Sequence, residues 1–144
     1  MLGYETYTAN ISWSYNGKKF EEIATLRKLP DFASPRINRI ISKIDNIWLR
    51  DGDPVACLEV EHSTNIVQSI RRFSYLRHWE TALYIVADKS RMREIDNHLQ
   101  SPLASGIRHK VKFLSYRDLE RLYQAAQAAQ SFFDLRKKLL GAGV

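Results

Sequence analysis

A single cysteine, Cys57, stands in the 144 residues. No disulfide can close within the chain, and the composition fits a reducing, cytoplasmic compartment. No apolar run approaches the ~20 residues of a membrane-spanning helix, so no membrane association is expected. The N-terminal MLGYETYTANISW has neither the basic start nor the long apolar core of a secretory leader. A glycine-rich phosphate loop is missing, which argues against nucleotide-dependent chemistry. Internal repeats are missing too, and the one biased segment, QAAQAAQ, is helix-favouring filler. Acids are in the minority. The 22 Lys and Arg against 16 Asp and Glu leave a net charge of +6, which favours a polyanionic partner without identifying one.

What is present suits one compact domain over residues 1–144: 44% of the residues are apolar and 16 are aromatic. YETYTANISWSYNG reads as a strand ending in an Asn16-Gly17 turn. FEEIATLRKL reads as a short helix before Pro30. Ser34 then Pro35 supplies an N-cap and first helical position, followed by Ile37, Ile40, Ile41 and Ile44 at helical spacing. IDNIWLR and PVACLEVE are strands around the hairpin signal Asp51-Gly52-Asp53. A helix is predicted over residues 65–78, with Ile66, Ile70 and Phe73 as its buried stripe. TALYIVAD is apolar enough for a central strand, SRMREIDNHL is helical, QSPLASG is a loop and HKVKFLSY a further strand. Ser115 and Asp118 form an acidic capping box for YRDLERLYQAAQAAQ, and SFFDLRKKLL is a final basic helix. Trp48 and Trp79 are expected in the core. This order makes an α/β or α+β fold, a sheet layered by helices.

The informative stretch is KIDNIWLRDGDPVACLEVEHSTNI, which sets Asp45, Glu59, Glu61 and His62 among apolar residues. Side chains alternate along a strand, so Glu59 and Glu61 share a face. A hairpin loop of two to four residues puts Asp45 opposite residue 58, 59 or 60, and a three-residue loop puts it beside Glu59 at about 5 Å. Like charges so placed are destabilising unless a cation or a proton sits between them. Two carboxylates with a backbone carbonyl, such as that of Val60, are a donor set for Mg²⁺ or Mn²⁺. An E-V-E strand taken alone is more often a half-exposed strand. The next helix carries Gln68, Arg71 and Arg72 opposite its apolar stripe, and a negative metal pocket beside a basic helix suits a phosphodiester.

The pattern ID-x-IW, EVEHST-x-I, R-x-S-x-L, LYIVA and FLSY-x-x-L resembles the PD-(D/E)XK endonuclease domains of the restriction-enzyme type, in particular a group with an EVEH active strand. The resemblance covers residues 17–123. It implies a restriction-endonuclease-like mixed central sheet flanked by helices, and a Mg²⁺- or Mn²⁺-dependent DNA endonuclease. By the same resemblance Asp45 and Glu59 are metal ligands, joined by the Val60 carbonyl. Glu61 stands where most of the superfamily has lysine, so it would accept a proton or bind metal rather than donate. Arg72 would contact phosphate, with Lys43, Gln68 and Arg71 along the DNA backbone, and His62 would support Glu61 or the end of the strand. The helix before Asp45 carries no acid, which leaves Glu21 or Glu22 for that role. The missing N-terminal helix suggests a fragment or the C-terminal domain of a larger protein, with further domains or subunits, and cutting both strands suggests a homodimer. Two rival readings remain. One is an inactive nuclease-fold module that binds DNA or protein. The other is a structural domain with a solvated acidic face, in which Asp45, Glu59 and Glu61 diverge.

Overall fold

A computed structural model of the chain describes residues 3–15, 17–62 and 65–141. The Asp51-Gly52 signal forms a hairpin between β4 (Asn46–Arg50) and β5 (Asp53–Glu61). Both turn residues take positive φ, 53° at Asp51 and 83° at Gly52, the requirement of a two-residue type I′ turn. That turn alone would set Asp45 against Leu58. A bulge changes the register: Leu49 pairs with Pro54 but Trp48 pairs with Ala56, which leaves Val55 without a partner. Beyond it Ile47 faces Cys57 and Asn46 faces Leu58, so one further step sets Asp45 against Glu59. The expected three-residue loop is thus a two-residue turn plus one bulged residue, with the same register at the acids.

The sheet has five strands in the order β1-β4-β5-β6-β7. β1 (Glu5–Thr8) runs antiparallel to β4. β6 (Ala82–Ala87) and β7 (Val111–Ser115) add in parallel after β5. Each parallel step needs a crossover, supplied by α3 (Ile66–Ser74) and then α4 (Met92–Leu99). The result is the α+β sheet that the element order predicts, consistent with the restriction-endonuclease-like architecture that the resemblance implies. TALYIVAD is an interior strand, although the centre belongs to β5.

One core holds these layers together. Ile41 and Ile44 at the end of α2 (Pro35–Ile41), Ile66, Ile70 and Phe73 of α3, and Ile95 of α4 meet Ile47, Leu49, Leu83 and Ile85 of the sheet. Ser34 caps α2, its side chain accepting from the Ile37 N–H, with Pro35 at the first turn. All three helices therefore pack on the face of the sheet that carries Cys57, Glu59 and Glu61.

Several expectations are corrected. The first predicted strand divides into β1 and a short β2 (Ser14–Tyr15), which pairs with β3 (Lys18–Lys19); Asn16 of the predicted turn falls outside the described residues. The helix in FEEIATLRKL is the single turn α1 (Phe20–Ile23). QSPLASG includes a 3₁₀ turn at Pro102–Ala104. No breaker separates the last two predicted helices, and α5 runs unbroken from Tyr116 to Leu140 behind the Ser115–Asp118 capping box. Trp48 is not core. It is 38% exposed on the sheet face away from the helices, with its indole N–H donating to the Asn46 side chain. Among the described residues no helix is long and apolar enough to cross a membrane.

Candidate active site

Glu59 and Glu61 point into the protein. They are 2% and 5% exposed, whereas Val60 between them is 38% exposed. A solvated acidic face therefore does not describe β5. Each acid is held by its own donor on α3. The Arg72 Nη1 on α3 donates to Glu59 Oε1 at 2.8 Å. Ser69, one turn earlier on the same helix, donates its hydroxyl to the Glu61 carboxylate. The i, i+3 spacing of Ser69 and Arg72 matches the i, i+2 spacing of the two glutamates closely enough for each to meet its own acid.

Asp45 stands just before β4. Its Oδ2 accepts the Val60 N–H at 2.8 Å and its Oδ1 accepts from the Asn10 side chain at 3.1 Å. Its backbone is fixed as well, because the Thr8 hydroxyl donates to the Asp45 carbonyl at 2.8 Å. Within a strand the N–H and C=O of one residue point to the same edge. The Val60 carbonyl is therefore directed toward the Asp45 side, beyond the start of β4. Electrostatics agree with this closeness. Burial pushes the Glu59 carboxyl up to about 8, Arg72 pulls it back, and the nearby Asp45 raises it again.

Beside this pair opens a shallow cleft of about 310 Å³, lined by Ile40, Lys43, Gln68, Arg71, Arg72 and Tyr75. The four residues assigned to a phosphate backbone from the sequence, Lys43, Gln68, Arg71 and Arg72, thus share one concavity with no acid in its lining. Arg72 belongs both to the cleft and to the acid pair. His62 follows Glu61 on the outside, its Nδ1 3.0 Å from the Tyr116 hydroxyl and its ring stacked on that tyrosine at 5.4 Å. The same hydroxyl donates to the Glu61 carbonyl, as does Arg91 Nη1. Glu21 is engaged with Lys19 and Arg27, and neither bond leads to the acids.

Sequence reasoning missed Asn10, Ser69, Arg91 and Tyr116. Tyr116 had a signal, since it is the last residue of the FLSY match. Ser69 had one in its position a turn before Arg72. Asn10 had none, because it reaches Asp45 from a turn after β1.

The donor set can be tested against a divalent ion. Among the described residues no group of three or more His, Cys, Asp or Glu side chains is arranged to hold a metal. A hard ion that keeps most of its waters needs only one or two carboxylates and a carbonyl. The mutually repelling Asp45 and Glu59, with the Val60 carbonyl on the same edge, fit that smaller demand.

The fold is that of a restriction-enzyme-like α+β domain. The model of one family, described as the C-terminal domain of the Type II restriction enzyme NmeDI, matches residues 1–141. The chain belongs to that family. No curated protein and no solved structure matches it.

Proposed function

We propose that the domain hydrolyses DNA phosphodiesters with the help of Mg²⁺ or Mn²⁺, as a nuclease of the PD-(D/E)XK type. The observation that carries this reading is Asp45 set against a buried Glu59 by a bulged register, next to a cleft lined by Lys43, Arg71 and Arg72. Asp45, Glu59 and the Val60 carbonyl would hold the ion. When bound, it supplies charge to the phosphoryl oxygens and makes water a better nucleophile. Glu61 would accept that water's proton or take part in a second ion site, its carboxylate steadied by Ser69. His62 and Tyr116 keep the end of β5 in place through the Glu61 carbonyl. Lys43, Gln68, Arg71 and Arg72 position the backbone and carry no sequence information.

The test is nicking of supercoiled plasmid with Mg²⁺, with Mn²⁺ and with EDTA, beside Asp45→Ala. Metal-dependent nicking that falls to background in the variant is the expected outcome. Undiminished nicking by Asp45→Ala would remove the assignment. The second reading, an inactive DNA- or protein-binding module, is favoured by one fact: all three acids already have partners within the chain. It requires that titrated Mn²⁺ bind no better than to Asp45→Ala.

A further inference from the structure

Asp45 and Glu61 are satisfied by neutral donors, an amide, a backbone N–H and a hydroxyl. The Glu59 carboxylate is hydrogen-bonded by a cation, Arg72, 2.8 Å away. The Arg72 side chain is a quarter exposed and lines the basic cleft. It carries five N–H donors in a planar fork, and its one hydrogen bond among the described residues goes to Glu59. A backbone phosphate in the cleft offers the fork a bidentate partner with the same charge as a carboxylate. A divalent ion on Glu59 would in turn face a like charge at close range as long as Arg72 stays.

We propose that Arg72 is a displaceable internal cation, which holds Glu59 until a nucleic-acid backbone enters the cleft and then moves to the phosphate, so that divalent-ion binding and backbone binding are coupled. This rests on the metal-dependent reading above and adds a regulation to it. The ordering follows from position. Arg72 lines the cleft with Lys43 and Arg71 and also pairs with Glu59, so it answers to both ligands, and among the described residues neither Lys43 nor Arg71 is ion-paired with Glu59. By linkage the coupling is reciprocal: whatever the backbone does for the ion, the ion does for the backbone. Arg72 is then a positioning residue, and its removal should loosen one equilibrium while tightening the other.

The experiment measures Mn²⁺ affinity by electron paramagnetic resonance, with and without a short phosphorothioate duplex that resists cleavage. Wild type, Arg72→Gln and Asp45→Ala are compared, the last with duplex serving as the baseline for Mn²⁺ on the nucleic acid itself. In wild type the duplex should tighten Mn²⁺ by roughly tenfold. Arg72→Gln should bind Mn²⁺ without duplex more tightly than wild type does, and the duplex should add little. A merely structural arginine would lower the melting temperature in this variant and leave free-state Mn²⁺ affinity no better than wild type, which overturns the proposal. Equal Mn²⁺ affinity in wild type with and without duplex overturns it as well, even if Arg72→Gln does not fold. Wild type that binds no more Mn²⁺ than Asp45→Ala in either state is a different failure, because it removes the metal reading and the coupling together.

Discussion

The two faces of β5 are built against expectation. One face carries Cys57, Glu59 and Glu61 and is buried; the other carries Ala56, Leu58 and Val60 and is half open. Alternation fixes which residues share a face, but not which face is covered. The covering is decided by where the helices pack. α3 brings Ser69 and Arg72, so the polar face could be the inner one, because its charges arrive with partners. On the apolar face Leu58 stands beside Tyr84 and Val60 beside Val86 of the neighbouring β6, on the side of the sheet away from the α2–α4 layer.

The largest expected departure between the faces concerns charge. The Glu59 pKa, raised by burial to about 8, exceeds the ~4.3 of an unfolded glutamate. The folded state therefore holds this proton more tightly, and its contribution to stability is complete below about pH 4.3 and is lost as the pH climbs through about 8. The loss is on the order of a few kcal/mol. Glu59→Gln, measured by thermal melts without metal, should flatten that decline and raise the melting temperature at pH 8. A variant that melts lower than wild type at pH 8 would mean that the ion pair with Arg72 outweighs burial.

A smaller effect tests the partner supplied to Glu61. Ser69→Ala leaves a buried carboxylate short of a donor, and urea titration should show a loss of about 1–3 kcal/mol. A change below ~0.5 kcal/mol would mean that water takes the place of the hydroxyl. The smallest effect belongs to the open face. Val60→Thr should stay within ~0.5 kcal/mol of wild type in the same titration. A large loss there would show that the face is covered in solution.

Much of the fold was legible because local chemistry and global structure agree. The Asp51-Gly52 turn, the Ser34-Pro35 helix start and the Ser115–Asp118 capping box each stand where the sequence puts them. The shared face of Glu59 and Glu61 followed from alternation alone. The position of Asp45 against Glu59 was reached through the wrong loop, because a bulge leaves no mark in composition. Asn10 and Tyr116 bear on the acids through contacts far apart in sequence, and Ser69 through one eight residues away, none of which hydrophobic periodicity reports. Trp48 was misplaced for the reason β5 was ambiguous: hydrophobicity cannot say which side of a sheet the helices will choose. The unbroken α5 shows the converse limit, since a change in composition at Ser131 is not a helix stop without glycine or proline.

Val55 makes the hairpin a vernier. Removing that residue would abolish the bulge and leave Trp48 on Ala56 and every later pair as it was, so the arm between turn and acids has one unit of slack. Beyond Ala56 there is none. An insertion or deletion of one residue there reverses the parity of the strand, turning Glu59 out toward water and Leu58 in toward Arg72. Length variation in this hairpin is thus harmless at the unpaired Val55 and disabling from Cys57 onward, and the line between the two is Ala56.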